Sequence, residues 1–174
     1  MKKIAFITLS LLLAVSFWNC EKDDICAEGT PVTPRVIIEF FDAADPETSK
    51  NVTNLRVNEL GTTNAVVFNP NLDETNLNRF LSNDNKITIP LKTFQDLSDF
   101  EFILNAGSTA ETTVSLVFNY ERSNVFISRA CGYKTIFNLT NVLPTDFSGT
   151  WISSLTIEQP NIINENETHI KIYF

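Results

Sequence analysis

The sequence predicts an all-β fold, an immunoglobulin-like antiparallel β-sandwich, and three observations carry that prediction. Apolar and polar residues alternate with a period of two in segment after segment. These segments are short, rich in Val, Ile, Thr and aromatics, and separated by turn-forming residues. Helical spacing is confined to two brief stretches.

In chain order the expected strands begin with "RVIIEFF" (35–41), "NLRVNEL" (54–60) and "AVVF" (65–68). In "KITIPLK" (86–92), Ile87, Ile89 and Leu91 share one face; "FEFIL" (100–104) follows. "TVSLVFNYE" (113–121) places Val114, Leu116, Phe118 and Tyr120 together. "NVFISR" (124–129) does the same for Val125 and Ile127, and "YKTIFNL" (133–139) for Tyr133, Thr135, Phe137 and Leu139. "WISSLTI" (151–157) precedes the closing "HIKIYF" (169–174), where Ile170, Ile172 and Phe174 face one way and His169, Lys171 and Tyr173 the other. Five glycines serve the whole chain, with Gly61, Gly107 and Gly149 where strands should reverse. Asparagine, which tolerates left-handed backbone, occurs 19 times and clusters between strands, as in "SNDN" and "NIINENE". Two helical turns are expected, one in "LDETNLNRFL" capped by Asp73 and one in "TFQDLSD" capped by Thr93. A small β-barrel is the alternative closure. The terminal "IYF" is similar to the last strand of an outer-membrane barrel, but such strands need about 9–11 residues and most segments here are shorter.

The N-terminus has a different character. Lys2 and Lys3 precede an uncharged run from Ile4 to Trp18, the layout of a secretory signal peptide and too short for a confident spanning helix. Cys20 falls where cleavage is expected. "FWNC" resembles a relaxed form of the bacterial lipoprotein cleavage site, although Phe17, Trp18 and Asn19 depart from the Leu and small residues preferred there. That resemblance implies removal of residues 1–19 and a lipid on Cys20; the alternative is an ordinary signal peptide cut elsewhere. The following Glu21, Lys22, Asp23 and Asp24 resemble the lipoprotein export tag of Bacteroidota, which implies an address on the outer face of the outer membrane, the periplasmic face being the alternative. Residues 20–34 then read as a lipidated tether with an extended lead-in, "AEGTPVTPR" at its end, and 35–174 as a single sandwich domain.

Processing would leave 155 residues with a formal net charge of about −10. No basic run tracks a phosphate backbone, so nucleic acid is not an expected partner. The membrane, through the N-terminal lipid, is the expected one. Of three cysteines, lipidation of Cys20 leaves Cys26 and Cys131, which an oxidising compartment should join.

Candidate chemistry is sparse. No GxSxG, HExxH, P-loop or dinucleotide glycine pattern occurs, and the single histidine, His169, is expected as a solvated residue on the outer face of the last strand. No metal site, cofactor or catalytic residue is assigned. Asp42, Asp45 and Glu47 form the densest acidic group, followed by Asp96, Asp99 and Glu101; both groups read as turn residues, with paired-acid glycan chemistry as the alternative. Asn69, Asn71, Asp73 and Asn76 offer oxygen ligands without the glycine and terminal Glu of an EF-hand loop. "CEKDDICAEGTP", "RVIIEFFD", "IPLKT", "SRACGYKTIFNL" and "THIKIYF" together resemble an uncharacterised family of small Bacteroidota lipoproteins, a domain of unknown function. The resemblance implies an exported, lipid-anchored β-domain and brings no activity with it. The expected function is a non-catalytic binding or accessory module for another envelope protein, in contact through aromatics such as Phe40, Phe41, Phe126 or Trp151. A glycan-binding or glycan-processing surface protein is the alternative.

Overall fold

In the computed structural model, residues 25–30, 32–144 and 150–174 are described. Cys20, the tag residues Glu21, Lys22, Asp23 and Asp24, and Gly149 lie outside them. The described strands are β1 (Val36–Phe41), β2 (Arg56–Glu59), β3 (Lys86–Ile89), β4 (Leu97–Leu104), β5 (Thr112–Ser128), β6 (Gly132–Pro144), β7 (Ser154–Ile157), β8 (Asn161–Ile162) and β9 (Ile170–Tyr173), with one 3-10 turn at Leu77–Phe80. Two compact units are formed: a large one, Pro31–Val125 with Lys134–Phe174, and a small one in which residues 25–30 group with Phe126–Tyr133.

The large unit is the predicted sandwich. One sheet runs β3-β1-β9-β7 and the other β2-β4-β5-β6-β8, and neither closes into a barrel. The inward positions anticipated from alternation meet in one core: Val36, Ile38 and Phe40 of β1, Ile87 and Ile89 of β3, and Ile170 and Ile172 of β9 pack with Phe102, Val114, Leu116, Phe118 and Phe137 of the other sheet. Register follows from that alternation, because a one-residue slip would turn each apolar set outward. Thus Val57 faces Phe102, Phe102 faces Val114, and Phe137 faces Ile162. Trp151 bridges the layers, with its ring 6.3 Å from Phe40 and its indole N–H 3.3 Å from the Phe102 carbonyl.

Several elements differ from expectation. Among the pairings described, β1 with β9 is parallel, Ile38 opposite Ile170 and Phe40 opposite Ile172, and the others are antiparallel. "AVVF" is not a strand. The Val66 N–H bonds the Val57 carbonyl, but Phe68 and Asn69 then turn to the Arg79 carbonyl, ahead of Pro70. Val66 and Phe68 are apolar because they pack on the core as a loop. "TVSLVFNYE" and "NVFISR" are one 17-residue strand that continues through Arg122 and Ser123, with the Arg122 guanidinium bound to Asp96 and the Thr93 carbonyl. "TFQDLSD" makes no helical turn; β4 already begins at Leu97, and Asp96 accepts from the Tyr120 N–H. Asn76 caps the 3-10 turn, while Asp73 bonds Thr75 upstream of it. The asparagine reading holds at Asn54 and Asn105, which carry positive φ of 43° and 55° beside the reversals.

Candidate functional site

The small unit is built around a covalent bond. Cys26 and Cys131 form the expected disulfide, with Cα atoms 4.8 Å apart. A turn over Ala27–Thr30, closed by the Thr30 N–H on the Ala27 carbonyl, carries Gly29 at φ +83°. The Cys131 N–H bonds the Ser128 hydroxyl, and Gly132 at φ +69° admits the reversal into β6. Two aromatics flank that reversal. Phe126 and Tyr133 meet edge-on at 5.3 Å while remaining 55% and 69% exposed. Tyr133 shares the sequence parity of the buried Thr135 and Phe137, yet it lies in the tip, where alternation does not lead to a core.

The large unit carries a cleft of about 650 Å3 lined by Arg35, by Lys86 and Thr88 of β3, and by Phe68, Asn69, Asn83 and Asp84 among others. Both of its cations are committed. Arg35 binds Glu165 through Nε (3.0 Å), Nη2 (2.8 Å) and its backbone N–H (3.0 Å), and that hydrogen bonding holds the Glu165 carboxyl below its ordinary range. Lys86 pairs with Glu39. Asp84 is the one carboxylate among the lining residues. A smaller cleft of about 250 Å3 beside Val66, Leu91 and Phe100 likewise holds one carboxylate, Glu59, bonded to Lys92 at 2.7 Å.

Other candidate groups serve their own loops. Asp42 accepts from the Ala44 N–H and Asp45 from the Thr48 hydroxyl, and neither they nor Glu47 line either cleft. Asp96 pairs with Arg122 at 2.6 Å. In the asparagine loop, Asn69 donates to the carbonyls of Asn78 and Leu81, and the Arg79 guanidinium fills the turn by donating to those of Pro70 and Leu72. Of the candidate ligand oxygens, Asp73 Oδ1 accepts from Thr75 and Asn76 Oδ1 from the Asn78 N–H, so both serve the loop itself. Of the aromatics expected at a contact surface, Phe40 is wholly buried because its parity on β1 is that of Val36 and Ile38. Phe41 and Trp151 are half-buried, and Phe126 is exposed.

His169 overturns its expectation most plainly. It is fully buried, its Nδ1 accepting from the Ile37 N–H at 2.9 Å and its backbone N–H donating to the Ile37 carbonyl. Alternation placed it outward correctly. That face is covered at this end, where the β8–β9 connection returns to bind Arg35 through Glu165. Its Nε2 is buried without a hydrogen-bond partner among the described residues. Burial lowers its pKa, against the opposing pull of Glu167 and Glu165.

Fold and site together define a two-sheet β-sandwich whose disulfide ties the residues preceding the sandwich to an aromatic hairpin tip. The chain belongs to the family of unknown function DUF6452, whose profile matches residues 55–174. That match includes Cys131 and stops short of Cys26 and β1. No curated protein and no solved structure matches the chain.

Proposed function

We propose that this protein is an outer-membrane lipoprotein of Bacteroidota type, acylated on Cys20 after loss of residues 1–19 and displayed on the cell surface as a non-catalytic binding or accessory module for another envelope protein. The observation that carries the reading is the succession of Lys2–Lys3, an uncharged run to Trp18, and Cys20 followed by Glu21, Lys22, Asp23 and Asp24. The large unit supports a binding role through Asp42 and Asp45, which are engaged within their own loop, and through two clefts that each bring a single carboxylate. Its sheets end in short edge strands, β2, β3, β7 and β8, and Phe94 stands 92% exposed ahead of β4, which gives a partner backbone and an aromatic to engage.

Incorporation of a clickable fatty acid into the wild-type protein, and its loss in Cys20→Ser, tests the anchor. Protease treatment of intact cells tests display, full protection being the adverse result. Crosslinking in intact membranes should recover a stoichiometric envelope protein, and its absence would sink the accessory role. One observation favours a second reading. The larger cleft sets Asn69, Asn83, Asp84 and Thr88 around Phe68, a combination suited to holding a hydroxyl-rich glycan without cleaving it. Glycan binding that Asp84→Ala abolishes would select this reading.

A further inference from the structure

We propose that the hairpin tip beside Cys131 rests on the lipid surface, with Ile25, Phe126 and Tyr133 seated at headgroup level. The proposal rests on lipidation of Cys20 and names what the small unit then touches. Cys26 follows Cys20 by six residues, a stretch that reaches at most about 20 Å when fully extended and averages about 12–15 Å as a flexible coil. The disulfide places the Cα of Cys131 4.8 Å from that of Cys26. A reversal more than a hundred residues away in sequence is therefore confined to a thin layer above the anchored lipid.

Within that layer, the exposed side chains decide which way the tip points. Ile25 is 84% exposed, Tyr133 69% and Phe126 55%. Aliphatic and aromatic groups with one phenolic hydroxyl suit the boundary between headgroups and acyl chains, where one end of a ring is apolar and the other wet. The tether keeps these groups at an effective concentration on the order of millimolar, so weak intrinsic affinity is enough. Covalent geometry alone puts lipid within their reach, whereas a protein would have to be recruited into the same layer. In the sequence around the tip Glu21, Asp23, Asp24 and Glu28 outnumber Lys22 and Arg129, and the overall balance is negative, so the contact is apolar and insensitive to salt.

The test uses the processed, lipidated protein in phosphatidylethanolamine vesicles whose acyl chains carry bromine, a short-range quencher of tryptophan. Phe126→Trp reports the tip, Phe94→Trp reports an exposed site in the large unit, and wild type supplies the Trp151 baseline. Matching thermal melts establish that both variants fold. The added emission of Phe126→Trp is expected to be quenched about two-fold more than that of Phe94→Trp, equally at low and high salt. Replacing both Cys26 and Cys131 by Ser, which leaves the anchor in place, should remove the excess. Equal quenching at the two sites in protein whose mass shows lipid on Cys20 overturns the proposal while leaving the anchor intact. So does a photo-crosslinker at position 126 whose main product in cells is a discrete protein adduct. A mass without lipid on Cys20 overturns both readings and is recognised before any quenching is measured.

Discussion

His169 shows how much one buried side chain can govern. Its Nδ1 is the acceptor for the Ile37 N–H at the start of the β1–β9 pairing. His169→Ala leaves that amide buried without a partner and opens a cavity, so a loss of about 2–4 kcal/mol in denaturant unfolding is expected. The pH dependence follows from the lowered pKa, because the unfolded chain takes up a proton near pH 6.5 before the folded one does. Histidine therefore costs the folded state nothing above that pH and destabilises it progressively below, with a limiting slope of about 1.4 kcal/mol per pH unit. The groups that modulate this are Glu165 and Glu167, with Arg35 holding Glu165 and Thr168 bonding Glu39 nearby. Glu165 acts in a lower window. Its depressed pKa contributes stability above about pH 4.5 that is lost as the pH falls through its folded value, and partial exposure keeps that contribution near 1 kcal/mol or less. Unfolding curves between pH 8 and 4 should show the first decline in wild type and not in His169→Ala.

At the scale of elements, β4 and β5 are joined by more than their ladder. The Lys92 N–H donates to the Ser98 hydroxyl, Ser98 and Tyr120 hydroxyls lie 2.7 Å apart, and the Tyr120 hydroxyl donates to the Lys92 carbonyl. The ring closes on itself and ties the β3–β4 connection to both strands; burial raises the Tyr120 pKa, which keeps the phenol protonated. Tyr120→Phe and Ser98→Ala should each cost about 1–3 kcal/mol, and the double variant less than their sum, as a double-mutant cycle would show. This network was not legible in the sequence, since Tyr120 reads there as one more apolar position and Ser98 as a turn residue. The inward faces of β1, β3, β5 and β9 were legible, because alternation is a local property of the chain. Phe40 and "AVVF" differ from their sequence reading for opposite reasons: the first is a core residue within a doubly apolar run, and the second a loop that packs on the core and pairs with β2 only through an isolated bridge at Ala65 and the Val66 N–H. Burial of His169 depends on a connection folding back from elsewhere, which no local pattern records.

For the molecule as a whole, the disulfide is the longest covalent closure, spanning 105 residues. The chain-entropy model credits a loop of this length with roughly 4–5 kcal/mol. Replacing Cys26 and Cys131 by Ser should therefore lower the melting temperature by on the order of 10 °C. The pair was legible only by counting: an odd number of cysteines becomes even once Cys20 is set aside. The exposed aromatics at the same tip were half legible, since Phe126 stood out and Tyr133 was assigned to the core face with its neighbours.

The parallel pairing of β1 with β9 has a consequence in time. Ile37 and His169 are 132 residues apart, so a first strand that emerges early must wait, one edge bare, for a partner made far downstream. β1 and β3 can pair early, but the four-stranded sheet cannot be completed until β7 and β9 have been made. Deleting residues 169–174 should accordingly abolish cooperative unfolding rather than shorten one strand, a difference that a calorimetric trace would reveal.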